Sequence, residues 1–400
     1  MNILVLNCGS SSLKYQVIEI CSEKILAKGI CDRINLGDSF FIQKTFDNRE
    51  IKKELKIKNH EQAIDLIIKY LLDKDYGVLN KIEEINAIGH RVLHGGSYFD
   101  KPVLIDDRVK IVIKDCFVLG PLHNPNNLAG IEACEKLFSS NIKQVAVFDT
   151  AFHQTMQRKV FSYALPYELC KKKSIRRYGF HGTSHEYIAN RTCKILNNNN
   201  LKIISCHLGN GSSICAIEKL KCIDTTMGMT PIEGLPMGTR CGDIDPGILF
   251  FLAKKENMNL DEIDNILNKS SGMLGISGIS SDFRDLENEA KKNNKRAKLA
   301  LEIFCYRTAK YIGAYTVCLG GIDVIVFTAG VGENSTTTRK KICEYLDFAG
   351  VKINQEKNNL RGKEVMFSTD ESTVKLLVIP TNEELMIARK TKMIINNLRK

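Results

Sequence analysis

Apolar residues recur along the chain in two rhythms. Short β-prone runs empty into Gly-, Ser- and Asn-rich turns, and longer stretches carry apolar positions at helical spacing. The clearest run is 202–217, where Ile203 and Ile204 lead into Gly209-Asn210-Gly211-Ser212-Ser213 and a second apolar run leads out. This predicts a hairpin whose turn tolerates positive φ or presents hydroxyls, with amides able to converge on a phosphate. Residues 3–20 repeat the pattern. Setting Gly9 on Gly209 aligns GSSSLKYQVIEI with GNGSSICAIEKL, which implies duplication into two similar domains.

The remaining elements alternate. A helix is predicted over 60–80, with Gly77 near its end, then a strand at 85–93. The turn Pro121-Leu122-His123-Asn124-Pro125 precedes a helix at 127–138, and a buried strand at 145–148 ends in Asp149-Thr150. A carboxylate just beyond a buried parallel strand lies where α/β proteins place chemistry. Helices follow at 185–196, 246–257, 260–269, 284–293, 295–319 and 337–348, strands at 323–327 and 374–379, and a closing helix at 382–398. Four small-residue turns are read as following apolar strands: 7–14, 207–213, 277–282 and 328–334. Glu383 and Glu384 in the first turn of the closing helix suit the helix dipole. Downstream of Gly238, Arg240 sits on a Gly-flanked loop, and a guanidinium fork suits phosphate or carboxylate.

The bulk numbers exclude several classes. With 44% hydrophobic and 26% charged residues, the chain can bury a sizeable core. Its 57 basic and 46 acidic residues leave a net charge of +11. The lysines are dispersed and never interleaved with aromatics, so no nucleic-acid surface is expected. The one dense patch, Lys171-Lys172-Lys173 with Arg176-Arg177, reads as solvated surface. The 14 cysteines include no CxxC pair, so spacing indicates neither a zinc site nor a disulfide framework, and reduced cytosolic thiols fit. No apolar run reaches 18 residues and no leader is evident, so a cytoplasmic protein without membrane contact is expected. Neither GxxxxGK[ST] nor a helix-opening GxGxxG occurs.

Paired strand-turn-strand loops with a further Gly-rich turn suit the actin, sugar-kinase and heat-shock-chaperone superfamily. Within it the chain closely resembles the acetate kinase (acetokinase) family. The matching segments run in the family's order: NCGSSSLKY (7–15), GHRVLHGG (89–96), PLHNPNNLAGI (121–131), FDTAFHQTM (148–156), YGFHGTSH (178–185), HLGNGSSICAI (207–217), DTTMGMTPIEGLPMGTRCGDIDP (224–246), GISGISSDFRDL (275–286), FTAGVGEN (327–334) and IPTNEELMIAR (379–389).

The resemblance implies an α/β fold of two duplicated ribonuclease-H-like domains with an active-site cleft between them. Residues 1–150 with 385–400 would form the carboxylate side and 151–384 the nucleotide side. It implies a homodimer and reversible Mg2+-dependent transfer between ATP and acetate, giving ADP and acetyl phosphate, with Mn2+ a possible substitute. Arg91 would bind the carboxylate, Asp149 would be the catalytic carboxylate, and His181 and Arg240 would stabilise the transition state. Asn7 and Glu383 would organise the metal. Leu93, Leu122, Phe180 and Pro231 would line the methyl pocket. The nucleotide would be held by Lys14, by His207, Leu208, Gly209, Asn210 and Gly211, by Asp282, Phe283 and Arg284, and by Gly330, Val331, Gly332, Glu333 and Asn334. His123 either takes part or only orders its turn. Asn7 could equally be turn chemistry, and Asp149 a helix cap.

Four positions depart from the family's pattern. Gln157 and Asn126 replace prolines, and Cys8 and Cys241 replace smaller or hydroxylated residues. Cys241, beside a guanidinium, is expected to be oxidation-sensitive. Leu93 stands where a smaller Val is common, so acetate should be preferred over propionate and butyrate. The alternatives are a propionate or butyrate kinase of the same family, or an ATP-driven binding module of the superfamily that needs no acceptor-anion clamp.

Overall fold

The computed structural model describes residues 1–398, which divide into two compact units. The first is Met1–Phe152 joined by the segment from Asn382 on, and the second is His153–Thr381. The first carries strands β1 (Asn2–Cys8), β2 (Ser12–Glu19), β3 (Lys24–Asp32), β4 (Phe40–Thr45), β5 (Glu50–Glu54), β6 (Ile85–Val92), β7 (Val103–Leu104) and β8 (Lys143–Phe148). They form one sheet in the order β5-β4-β3-β2-β1-β6-β8-β7. β1 to β5 pair antiparallel in sequence, whereas β1, β6 and β8 run parallel.

Alternation along β1 sends side chains to two cores. Leu4, Leu6 and Cys8 pack with Ala63, Ile64 and Ile67 of helix His60–Leu71 and with Ala133 and Cys134 of helix Asn124–Leu137. Ile3 and Val5 pack with Ile387, Ala388 and Ile395 of helix Glu383–Asn397. Both faces are covered, which is why β1 reads as an unbroken apolar run. Each such side chain contributes about 1.5–3 kcal/mol by burial. The closing helix lies so near β6 that a Cβ on Gly89 would fall 2.5 Å from Thr391 Oγ1 and 2.8 Å from Ile387 Cγ2.

The second unit has β9 (Lys202–Leu208), β10 (Ser212–Glu218), β11 (Lys221–Thr225), β12 (Val324–Thr328), β13 (Val365–Met366) and β14 (Lys375–Val378). The order is β11-β10-β9-β12-β14-β13. β9, β10 and β11 are antiparallel neighbours and β9, β12 and β14 run parallel. The first five strands of this order, β11 to β14, therefore repeat the order and directions of β3-β2-β1-β6-β8. Both units are ribonuclease-H-like, as the family resemblance implied, and the duplication agrees with the paired hairpins. On β9, Ile204, Cys206 and Leu208 face the core under the long helix Lys295–Leu319. Ser205 and His207 face the opposite way, toward helix Gly182–Leu196.

Some elements differ from the sequence reading. β3, β4 and β5 were not signalled. The helix expected to 80 stops at Leu71, because the Asp73 side chain accepts hydrogen bonds from the amides of Asp75 and Tyr76 and turns the chain locally. Residues 277–282 follow a short helix, Gly272–Ser277, rather than a strand. The Gly-rich 328–334 stretch is itself a short helix, Ala329–Asn334. Of the basic patch, Lys171–Lys173 are exposed, but Arg177 is bonded to Glu233 and Arg176 stacks on Phe161.

Candidate active site

In the first unit, parallel β6 and β8 end side by side, which sets Arg91 next to Asp149. Arg91 pairs with Val147 in the ladder, and Asp149 N donates to Val92 O just past the strand. The guanidinium grips Asp149 in a fork: Nη2 donates to Oδ2 at 2.7 Å and Nε to Oδ1 at 3.1 Å. Asp149 is fully buried while the Arg91 side chain keeps 22% exposure. Glu383, at the start of the closing helix, lies 3.9 Å from Arg91 Nε. Burial opposes the Arg91 charge, but Asp149 and Glu383 together hold its pKa above the ordinary value. The Glu383 carboxyl moves the other way, pushed up to about 7 by burial and by Asp149 and Glu384. Asn7 and Lys14 are direct cross-strand partners on β1 and β2.

Two asparagines that the sequence reading did not single out fix the loop after β6. Asn127 Oδ1 accepts from Leu93 N, and its Nδ2 donates to Cys8 O. Asn124 Oδ1 accepts from His94 N, and its Nδ2 donates to His94 O and Ile113 O. Leu93 is buried, Leu122 is exposed, and His123 is half-buried at the N-terminus of helix Asn124–Leu137.

In the second unit, residues 209–211 link β9 to β10, and none of the three uses the positive φ that its residue type tolerates. The glycines serve close approach instead. A Cβ on Gly211 would sit 3.4 Å from the His181 ring and 3.8 Å from Arg240 Nη1, so these residues meet. A Cβ on Gly238 would overlap Asn210 Oδ1 at 1.6 Å, and Gly238 N donates to Asn210 O. The turn and the Arg240 loop are thus interlocked. Gly209 N is bonded to Ser212 Oγ, whereas among the described residues no group accepts from the amides of Asn210 and Gly211.

Arg240 Nη1 reaches Pro231 O and the Met237 sulfur, and among the described residues no carboxylate pairs with it. Burial lowers its pKa. His181 has φ +57, a strained setting for a non-glycine residue at the N-terminus of its helix. Its Nδ1 lies 2.9 Å from Ser213 Oγ, which also meets His185 Nε2 at 2.8 Å, while His185 Nδ1 meets Ser205 Oγ at 2.9 Å. His207 stacks on His181 with centroids 4.2 Å apart, and its Nδ1 meets Ser184 Oγ. Burial, with His153 and His207 nearby, holds the His185 pKa well below its usual value, so that ring is neutral. Ser184, His185, Ser205 and Ser213 were not singled out from sequence. Phe180 is buried and Pro231 half-buried.

A cleft of about 780 Å³ opens in the second unit beside this cluster. Of the expected nucleotide residues, Gly209, Asn210, Asp282, Phe283, Arg284, Gly330, Val331 and Asn334 line it. Ser281, Glu287, Ser335 and Arg361 line it as well and went unpredicted. The side chain of Leu208 belongs to the core, so only its backbone could reach a ligand. Glu333 accepts from Thr381 N. Arg339, fully buried, secures the short helix behind the cleft by donating to Gly332 O and Glu333 O.

The profile of the acetokinase family matches residues 2–389. The chain belongs to the acetokinase family. It is 55% identical over 399 residues to the acetate kinase of Halothermothrix orenii, covering 99% of this chain and all of the relative. The acetate kinase of Treponema denticola is 54% identical over 397 residues, 99% of this chain and 100% of that one. Among solved structures, Porphyromonas gingivalis acetate kinase superposes with a TM-score of 0.93 at 47% identity, over 98% of this chain and 99% of that one. A propionate kinase from Francisella tularensis gives the same TM-score of 0.93 at 42% identity, over 98% and 99% of the two chains.

As an acetokinase-family protein, the chain is a phosphotransferase with a carboxylate acceptor. The reactive Cys241 expected next to Arg240 lacks its physical basis. Its thiol donates to Gly242 O, and burial together with Asp243 pushes its pKa up rather than down. Among the described residues, no helix is long and apolar enough to cross a membrane.

Proposed function

We propose that the chain transfers the γ-phosphoryl group of ATP to acetate, reversibly, giving acetyl phosphate and ADP. The observation that carries this reading is Arg91, a guanidinium pinned at a strand end by a fully buried carboxylate. Bidentate capture by Asp149 fixes the arginine's orientation and leaves donor capacity for the acceptor anion. Acetate is already ionised at neutral pH, so the acceptor needs no general base. Asp149 therefore positions Arg91 rather than taking a proton.

On the donor side, the amides of Asn210 and Gly211 and the cleft lined by Asp282, Phe283 and Gly330 suit a nucleotide. Arg240, which has no carboxylate partner among the described residues, carries unspent positive charge for the equatorial oxygens of the transferring group. A neutral His185 donating from Nε2 to Ser213 lets the Ser213 hydroxyl donate to His181 Nδ1. That leaves the His181 proton on Nε2, where it can hydrogen-bond the same oxygens.

The chemistry of the first unit suits Mg2+. Asp149, Glu383 and Glu384 gather carboxylates around Arg91, with Lys14 nearby; the Glu383 pKa is raised mainly by burial and further by the other two carboxylates. Asn7 and Glu383 would hold the ion, directly or through water, as hard oxygen donors. When bound, Mg2+ would neutralise charge on the polyphosphate.

Acetate is preferred over propionate because Leu93 is large and buried. A homodimer is supported by Ile248, Phe250 and Phe251, exposed together on helix Gly247–Lys255. Fourteen free thiols suit a reducing cytoplasm. The decisive assay is hydroxylamine trapping with ATP, Mg2+ and acetate. Acyl hydroxamate is expected, and ATP hydrolysis without it would refute the assignment. A higher kcat/KM for propionate than for acetate would refute the substrate choice.

A further inference from the structure

We propose that His153, Cys215 and Cys222 form a site for one thiophilic d10 ion of low coordination number, Cu(I) in class, within the second unit. Cys215 and Cys222 are seven residues apart, while His153 lies 62 and 69 residues away and meets them through the fold. Cys215 lies on β10 and Cys222 on β11, where Cys222 pairs with Ile217, so both sulfurs emerge on one face of the ladder. His153 comes from the turn Ala151–Thr155. All three are fully buried.

The donor atoms form a compact triangle. His153 Nδ1 is 3.2 Å from Cys222 Sγ and 4.0 Å from Cys215 Sγ, and the sulfurs are 3.5 Å apart. With metal–sulfur bonds of ~2.3 Å and a metal–nitrogen bond of ~2.0 Å, a planar three-fold site would have sides of ~4.0 and ~3.7 Å. Each observed side is within about half an ångström of that requirement, so binding needs only side-chain adjustment. The other ring nitrogen is already engaged as a ligand histidine's usually is. Nε2 lies 2.9 Å from Phe180 O, a carbonyl that can only accept, so the Nε2 proton is fixed and Nδ1 presents its lone pair to the sulfurs.

Metal binding would replace the thiol protons, releasing up to two to solvent. Two thiolates and an imidazole are a soft set. Structural zinc is almost always four-coordinate, whereas three buried donors suit Cu(I). The spacing of the cysteines gave no hint of such a site, since its ligands converge only through a bulged ladder and a distant turn.

The test uses the full-length, fully reduced protein, titrated anaerobically with Cu(I) against a chromogenic Cu(I) chelator. The Cys215→Ser/Cys222→Ser variant is run beside it. The wild type should take up one equivalent more and develop a thiolate-to-copper charge-transfer band. Exposed Cys21 and Cys318 are present in both proteins and cancel. Because buried serines can prevent folding, X-ray absorption of the loaded wild type is the second measurement. Two sulfurs and one imidazole nitrogen are expected around copper. Equal uptake by a folded variant, a shell without imidazole, or preference for Zn2+ over Cu(I) would overturn the proposal.

Discussion

Replacing Arg91 with alanine would leave Asp149 buried and uncompensated. The Asp149 side chain has 0% exposure and a 2.7 Å contact to the guanidinium, and Glu383 adds a second negative group 3.9 Å from Arg91. Removing one partner of a buried pair costs about 3–5 kcal/mol, because the other stays desolvated. At roughly 2–4 °C per kcal/mol for a unit of this size, Tm falls by roughly 6–20 °C. Asp149→Asn should cost less, about 1–2 kcal/mol. Arg91 retains contact with water, and the amide oxygen still accepts one hydrogen bond. The double variant should be more stable than the sum of the two losses predicts, with a coupling of about 2 kcal/mol. Thermal unfolding of the four proteins without ligands measures this cycle, and steady-state kinetics on the same samples should show a raised KM for acetate in both single variants. Additive losses, or a destabilised Arg91→Ala with unaltered acetate kinetics, would refute the pairing argument.

Three further outcomes follow from the same geometry. Arg240→Ala should lower kcat by about 10²–10³-fold with Tm nearly unchanged, since among the described residues it has no ion pair to break, and intact turnover would undo its role. His90 is buried against Gln144 with its pKa lowered from 6.5 to about 4, so the unfolded chain takes up the proton first as pH falls. Stability is complete above the unfolded value and declines between the two values by about 3 kcal/mol, and His90→Gln should flatten that slope in denaturant titrations. Arg339→Met orphans the acceptors Gly332 O, Glu333 O, Asn358 Oδ1, Asn358 O and Leu360 O. It should cost about 3 kcal/mol or more and raise the nucleotide KM, measured by chemical unfolding and initial rates. A raised KM without destabilisation would mean that Arg339 does not act through the helix.

The central strands were legible for related reasons: both faces of β1 are covered by apolar cores, which demands a continuous run, while β9 keeps Ile203, Ile204, Cys206 and Leu208 buried around the polar Ser205 and His207. The outer strands were not. β5 buries only Ile51, so EIKKE carries neither alternation nor an apolar run. The 328–334 stretch read as a turn because its glycines favour one locally, but its helix is secured by Arg339 bonding its last carbonyls. Arg91 and Asp149 stood out through the motifs around them. The serine and histidine chain behind His181 did not, because Ser205, Ser213 and His185 meet only when β9, β10 and the helix after His181 are assembled. Cys241 shows the converse error: adjacency to Arg240 in sequence did not become a charge contact in space.

The helix Glu383–Asn397 belongs to the first unit, yet it is synthesised after the whole of the second. Until it emerges from the ribosome, the sheet face formed by Ile3, Val5, Ala87, Val145 and Val147 has no cover. Residues 153–381 are contiguous and can complete their own core first. The half of the protein made first is therefore finished last. Chaperone protection during translation is needed most by that waiting apolar face, and a nascent chain halted before residue 383 should hold a folded second unit beside an unfinished first one.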